Sequence, residues 1–372
     1  MKSIGINDAG VAIIVVIFTL VMMVANIPLG VLADRWSRKG VLAVATVFLI
    51  SGTIIEGFSG NFLAYLVGSC LWGLYYAGYT GTYDSVVYDV LVEETGSATK
   101  FELYYGKIQL YDGIALVLSS LLCTAVVHFF TLRAAYFVTI PFSCMALVTL
   151  WAFREPQVHK NLTKSLLGAH IRETLRAIFR RKEILWLTLS LMLLTIATRI
   201  VLEFDQLWLI ALAMPLFLYG PINALLLTAY GASGIVANLV KNRRMVIMAF
   251  GLTTAIASIC LLYHVLTLTI MALFTIIAAV MALEVVVNRW LHDMLTSNIR
   301  AGASSTITTL GYAAFLPVGL IFGYVSHESS IFRASWIIII TCVLLALTLV
   351  KASGAAHLQR AKLAPDKHFK LS

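Results

Sequence analysis

The sequence predicts an all-α membrane protein with eleven transmembrane helices. Of its 372 residues, 60% are hydrophobic and 12% are charged, about half the charged share of an ordinary soluble domain. The mean hydropathy is +0.92. The apolar runs are continuous and about twenty residues long, enough to cross roughly 30 Å of hydrocarbon as a helix. Barrel strands alternate in polarity over roughly ten residues, so a porin-type barrel is excluded.

Polar breaks divide the chain into eleven apolar runs, each of which is predicted to be one span. The runs cover 9–33, 39–58, 62–91, 102–130, 133–153, 185–208, 215–240, 245–263, 266–290, 302–325 and 331–351. We therefore expect four regions along the chain. They are a first bundle of five spans over 1–153, a cytoplasmic linker over 154–184, a second bundle of six spans over 185–351 and a cytoplasmic tail over 352–372.

The basic residues predict the orientation of the spans. Alternate breaks, together with the linker and the tail, hold 23 of the 27 Lys and Arg residues. Because basic loops stay on the cytoplasmic side, we expect a multi-pass membrane protein with a cytoplasmic C-terminus. The net charge of +9 follows from this orientation, and no nucleic-acid partner is expected. The basic linker is either a helix lying on the anionic membrane surface or a solvated segment.

The first basic break carries a recognisable pattern, GVLADRWSRKG. It resembles the signature Gly-x-x-x-Asp-Arg-x-Gly-Arg-Arg/Lys of the major facilitator superfamily. The matching residues are Gly30, Asp34, Arg35, Arg38 and Lys39, while Ser37 stands where the family has a second glycine. Three further segments are similar to a group of bacterial facilitator permeases. They are YDSVVYDVL at 83–91, EFDQLW at 203–208 and YGPINALL at 219–226.

The resemblance implies the major facilitator fold, in which two six-helix-type bundles rock around a central solute cavity. It implies a gating role for the signature residues, with Asp89 as their partner near the cytoplasmic end of the third run. Only five spans precede the linker, and the signature follows the first of them. We therefore expect the family's first helix to be absent, either because it is encoded upstream or because the chain is truncated. A proline-containing pattern of drug/proton antiporters is missing from 102–130, which weakens a drug-efflux interpretation.

A polar stripe crosses the fourth run and contains Gln109 and Asp112. Asp112 lies about 6 Å of helix rise from the middle of the span, and we expect it to be the deepest carboxylate. An acid at that depth either carries a coupling proton or holds two helices together as a polar contact. Asp84 and Glu203 are the next candidates for proton coupling.

Two polar pairs lie within spans of the second half. Arg199 is the basic residue that lies deepest inside a run, and Glu203 follows it by one helical turn. The arginine either binds an anionic solute or closes a gate, or it forms a static bridge to Glu203. Glu284 and Asn288 form the other pair, and we expect Glu284 to line the solute site.

Aromatic side chains recur along the third run at steps of three and four. They are Trp72, Tyr76, Tyr79 and Tyr83. Rings that carry polar atoms suit a wall for an amphipathic organic molecule, although a stripe of aromatics is also typical of ordinary helix packing.

These observations favour a secondary active transporter that moves a small organic solute by alternating access. Either a proton gradient or the gradient of the solute itself would drive it. The alternative is a membrane protein that does not transport, either a permease remnant or a sensor that uses the same fold. The predicted partners are a small-molecule solute and membrane lipid. No P-loop, protease motif or metal-ligand spacing occurs, so we expect neither an enzyme nor a metal or other cofactor.

Overall fold

The computed structural model describes residues 5–95, 101–155, 181–240, 244–294 and 297–363. The predicted surface helix of the linker falls largely on residues 156–180, outside the described part. The side chains of Asp34, Asp84, Asp89 and Gln109 also lie outside it. The roles assigned to those four side chains stay predictions.

Eleven α-helices and no strand make up the described part of the chain. They are α1 (Asp8–Arg35), α2 (Arg38–Phe58), α3 (Phe62–Thr95), α4 (Phe101–Phe129), α5 (Ala134–Ala152), α6 (Lys182–Ala211), α7 (Tyr219–Val240), α8 (Arg244–Cys260), α9 (Leu266–Met294), α10 (Ser297–Glu328) and α11 (Ile331–Leu363). A short 3-10 helix, Leu216–Leu218, precedes α7. Each predicted run coincides with one helix, and nine of the helices in these described ranges are long and apolar enough to cross a membrane. The all-α fold class is confirmed.

The helix ends follow from local capping. The side chain of Asn7 accepts a hydrogen bond from the Gly10 N–H at 2.8 Å and starts α1. Ser37 starts α2 in the same way, accepting from the Gly40 N–H at 2.9 Å. The last helix continues to Leu363, so the predicted tail begins inside α11. The residues KASGAAHLQRAKL explain the difference, because they contain no proline and several strong helix formers.

In the first half of the chain, α3 packs against both α1 and α2, and α2 also packs against α5. Two glycines allow the close approach of α2 and α3. A Cβ atom added to Gly52 would lie 2.8 Å from the Gly68 carbonyl oxygen, so a larger residue would separate the helices. The position of α3 is therefore fixed from two sides.

In the second half, α8 packs against α9, and α6 contributes large side chains that are almost fully buried. Those on α6 include Leu187, Leu194, Ile200, Phe204 and Trp208. Their steps of seven, six, four and four residues place them within one half of the helix circumference. This side of α6 is predominantly apolar.

The described residues form two compact units. One contains those of Met1–Lys164, Gln206–Gly231 and Leu316–Ala334, and the other those of Ser165–Asp205, Ala232–Phe315 and Ser335–Ser372. Both units draw on helices from the two halves of the sequence. The division into bundles over 1–153 and 185–351 stays a prediction.

Apolar surface covers the outside of α5. Trp151 is 83% exposed, Val148 67% and Phe142 59%, and only 6% of this span is buried. A soluble protein rarely exposes such a contiguous apolar face. Lipid chains are the medium that this helix fits.

Candidate functional site

Stacked aromatic rings run along α3. Trp72 stacks on Tyr76 with ring centroids 6.3 Å apart, and Tyr75 stacks on Tyr79 at 5.7 Å. Tyr79 stacks in turn on Tyr83 at 4.8 Å with an interplanar angle of 23°. We call these five residues the aromatic ladder. The sequence analysis named four of them and missed Tyr75, which lies three residues after Trp72 and could have been found from that spacing.

Within the ladder, Tyr76 is exposed, whereas the indole nitrogen of Trp72 is buried. Tyr76 is 38% exposed, and the ring of Phe18 on α1 meets its edge with a centroid distance of 5.7 Å. The Nε1 atom of Trp72 is buried and has no hydrogen-bond partner among the described residues. Tyr76 is thus the ladder residue whose replacement would disturb the packing least.

Asp112 of α4 lies beside the ladder. Its carboxyl is within electrostatic range of Tyr75 and Tyr79, and its side chain is exposed. Asp112 and the rings were proposed separately from the sequence, and the structure brings them together in one compact unit. An acid next to polar aromatic rings can bind a proton or a donor group of a solute.

Arg199 and Glu203 pair on α6, in the other unit. The guanidinium also lies over the rings of Tyr312 and Phe315, with its carbon 5.0 Å and 6.0 Å from the two centroids. Both charged side chains are partly exposed, at 16% for Arg199 and 25% for Glu203. The predicted pair therefore exists, and α10 supplies aromatic neighbours that the sequence did not indicate.

Glu284 of α9 is partly buried. Among the described residues it has neither an ion pair nor a hydrogen bond to its side chain. The carboxyl is therefore available for a donor from outside this part of the chain.

The signature loop joins the start of α2 to the end of α5. The Ser37 hydroxyl donates to the Glu155 carboxylate at 2.7 Å, and the backbone N–H of Arg38 donates to it at 2.6 Å. Lys39 Nζ donates to the carbonyl oxygens of Trp151 and Phe153 at 2.7 and 2.8 Å. Ser37, which departs from the family pattern, is thus both a helix cap and a partner of Glu155. Glu155 was missed because it follows the last apolar residue of its run.

Arg35 and Gly30 of the signature have open surroundings. The side chain of Arg35 is exposed, and a Cβ atom added to Gly30 would meet nothing within 4 Å. An alanine would therefore fit at position 30 in this structure.

The start of α1 contacts the end of α10. Asp8 accepts from the Ser326 hydroxyl at 2.7 Å, and a Cβ atom added to Gly323 would collide with that of Ala12. Asn7 Nδ2 lies 3.2 Å from His327 Nε2. Because Asn7 Oδ1 accepts from the Gly10 N–H, its Nδ2 is the atom that faces His327. These partners are about 320 positions apart, and no local pattern indicates them.

The sequence analysis also missed an acid on α2. Glu56 is only 8% exposed, and its carboxyl accepts from the Ser69 hydroxyl at 2.8 Å. The hydroxyls of Tyr65 and Tyr136 hydrogen bond to each other at 2.8 Å nearby. Glu56 is the one acid inside the apolar run 39–58, which was the available signal. It lies two residues from the end of that run, where a polar residue is common.

The described residues contain no group of His, Cys, Asp or Glu that could hold a metal ion. The five cysteines are unpaired thiols in apolar helices. The chemistry available to the described sites is therefore that of carboxyls, one guanidinium and aromatic rings.

Comparison with known proteins places these features in a wider context. The sequence profile of the Major Facilitator Superfamily matches residues 1–242. Among curated proteins, none matches the chain. Solved structures that are similar include a point mutant of the nucleoside transporter NupG. It has a TM-score of 0.75 and 14% identity, with 94% of this chain and 92% of that chain covered.

Two further structures share the fold. The xylose transporter XylE from E. coli, in an inward open conformation, has a TM-score of 0.66 and 14% identity over 92% of this chain and 86% of that chain. A bacterial homologue of the human lysosomal transporter Spinster, inward-facing and occupied, has a TM-score of 0.64 and 14% identity. It covers 96% of this chain and 90% of that chain.

Proposed function

Because this chain belongs to the major facilitator superfamily, we propose that it is a secondary active transporter of a small organic solute. The solute crosses the inner membrane of a bacterium by alternating access, and the C-terminus lies in the cytoplasm. The observation that carries this proposal is the aromatic ladder with Asp112 beside it.

The chemistry of the ladder indicates which type of solute it can bind. Its rings offer flat apolar faces together with hydroxyl groups, so they fit a molecule with a planar or apolar face and a few polar atoms. NupG and XylE, which share the fold, are described as transporters of nucleosides and of xylose. Nucleosides and pentoses are therefore the first compounds to assay, followed by aromatic amines and acids.

Asp112 is the proposed proton carrier. Its carboxyl lies within electrostatic range of Tyr75 and Tyr79, so in this proposal the proton and the solute bind close together. A charge at membrane depth is costly, and protonation removes that cost during one step of the cycle. Glu203 and Asp84 remain the next candidates, and Arg199 and Glu284 are proposed to contact the solute from the second half.

The signature loop is the proposed gate on the cytoplasmic side. Gly30, Asp34, Arg35, Arg38, Lys39 and Asp89 form the predicted set. The hydrogen bonds of Ser37 and Lys39 to the end of α5 support this role, because surface hydrogen bonds of this kind can break and re-form as helices move.

Transport by purified protein in proteoliposomes tests the proposal. The compound series is applied with and without an inward proton gradient, and uptake and solute exchange are measured separately. Asp112→Asn should abolish gradient-driven accumulation but keep exchange, because the neutral amide mimics the protonated acid. Glu183→Gln, at an exposed acid with no described partner, is the matched control.

A second pair of variants tests the ladder. Tyr76→Leu should weaken solute affinity roughly tenfold at most, since an aromatic contact contributes about 0.5–1.5 kcal/mol. Tyr263→Leu, an exposed tyrosine outside the ladder, should have no effect. Binding of a solute without any exchange would overturn the transport function and support a sensor. Proton-driven uptake that persists in Asp112→Asn would remove Asp112 from the coupling role.

A further inference from the structure

A buried acid lies apart from the aromatic ladder, among α2, α3 and α5. Glu56 is two residues from the end of α2 and is 8% exposed. A Cβ atom added to Gly68 of α3 would lie 2.5 Å from Glu56 Cγ, so the glycine makes the space that the acid occupies. The Ser69 hydroxyl, which is itself buried, donates to Glu56 Oε1 at 2.8 Å. The carboxyl therefore has a formed environment rather than an incidental one.

None of the described side chains around Glu56 supplies a positive charge that pairs with its carboxyl. From α3 and α5 the titratable neighbours are the phenols of Tyr65 and Tyr136, which hydrogen bond to each other. Arg133, at the start of α5, donates to the Ser59 carbonyl oxygen at 3.1 Å instead. Within the described residues no basic side chain pairs with Glu56. A single hydroxyl donor is a weak substitute for a cation. A buried carboxylate that has no cation beside it loses much of the solvation that water gives it.

From this arrangement we propose that Glu56 is a proton-binding site, which carries a proton in the structure described and exchanges it with water beyond the end of α2. The ligand is a single proton taken from hydronium, and no other group reacts. Ser59, Gly60 and Asn61 join the end of α2 to α3, and the last two are exposed, which gives a short route from Glu56 to water. The site is independent of the solute and of the role of Asp112.

The proton would control how α2 and α3 pack. When Glu56 is protonated, the acid fits beside Gly68 as a neutral group of fixed size. When the proton leaves, the charge is stabilised only by moving toward water, and the glycine contact between the two helices must open. Stability of the wild type should therefore fall as the pH rises past the point where Glu56 releases its proton. In Glu56→Gln, which cannot ionise, that fall should be absent.

Infrared spectroscopy of the full chain in lipid nanodiscs tests the assignment directly, because a protonated carboxyl has a C=O band that a carboxylate lacks. The wild type should show such a band, and it should disappear in Glu56→Gln but remain in Glu183→Gln. Ser69→Ala should shift the band to higher frequency, since it removes the donor to that carbonyl, and this small change keeps the fold.

Each result decides the question. A band that is lost in Glu56→Gln and shifted in Ser69→Ala establishes the proton site, whether or not any solute is transported. Spectra in which Ser69→Ala leaves every carboxyl band in place would show that Glu56 is ionised and would overturn the proposal. Because Ser69→Ala keeps Glu56 and removes only its donor, its spectrum tests the proposal even if Glu56→Gln does not fold.

Discussion

Glu155→Ala should destabilise the first half of the chain more than its surface position suggests. The residue follows α5 and has no place in an apolar run, so sequence alone would treat it as an ordinary polar residue. Its carboxylate accepts hydrogen bonds from Ser37 and from the Arg38 N–H, which is the first backbone donor of α2. It therefore holds the start of one helix and the end of another together.

The expected loss can be worked out from these contacts. A hydrogen bond to a charged group contributes about 1.5–3 kcal/mol when well shielded, and Glu155 is half-buried, so we take about 1 kcal/mol for each of two bonds. The negative charge at the N-terminus of α2 adds roughly 0.3–1 kcal/mol. Replacement by alanine should then cost about 2.5 kcal/mol. For a unit of 150–250 residues, this corresponds to a fall in Tm of roughly 5–10 °C.

Thermal unfolding of purified protein in detergent, followed by the fluorescence of a thiol-reactive dye, measures the change. Glu183→Ala is the control, because Glu183 is an exposed acid in the first turn of α6. Glu155→Gln should lose about half as much stability, since its amide oxygen can still accept one bond. Equal Tm values for Glu155→Ala and Glu183→Ala would refute the reasoning. They would show that the two hydrogen bonds contribute nothing in solution.

Two other substitutions test the remaining contacts. Arg199→Lys keeps the positive charge but loses the flat guanidinium over Tyr312; solute affinity in a binding assay should fall several-fold while stability changes by less than about 1 kcal/mol. Unchanged affinity would leave the arginine with a structural role only. Gly323→Val should abolish solute exchange or lower Tm by several degrees, because the new side chain collides with Ala12. Gly231→Val, at a position where an added Cβ atom meets nothing within 4 Å, is its control, and equal behaviour of the two variants would contradict the contact.

Sequence periodicity predicts the helices well, because membrane spans need long apolar runs and the breaks between them are polar. The start of α1 differs from the prediction by one residue, since Asn7 supplies a local cap. The end of α11 differs by twelve, from 351 to 363, since polar helix formers continue a helix into water without any apolar signal.

The contacts between helices are much harder to predict. Lipid-facing and buried side chains are both apolar in a membrane protein, so hydrophobicity does not reveal which face of α2 meets α3. The pairing of Ser37 with Glu155 joins positions 118 apart, and the burial of Glu56 depends on a glycine of another helix. Pairs one turn apart on a single helix, such as Arg199 with Glu203, could be predicted because helix geometry alone places them together.

The length of α5 has a consequence for the membrane around it. Its 19 residues rise about 28 Å, close to the roughly 30 Å thickness of a hydrocarbon core, whereas α3 has 34 residues. The longer helix can adapt to a different thickness by tilting, but the lipid-exposed α5 is held at one end by Lys39. In a thicker bilayer, the lipid next to α5 must therefore become thinner. The length of α5 therefore contributes to the bilayer thickness that the protein matches best.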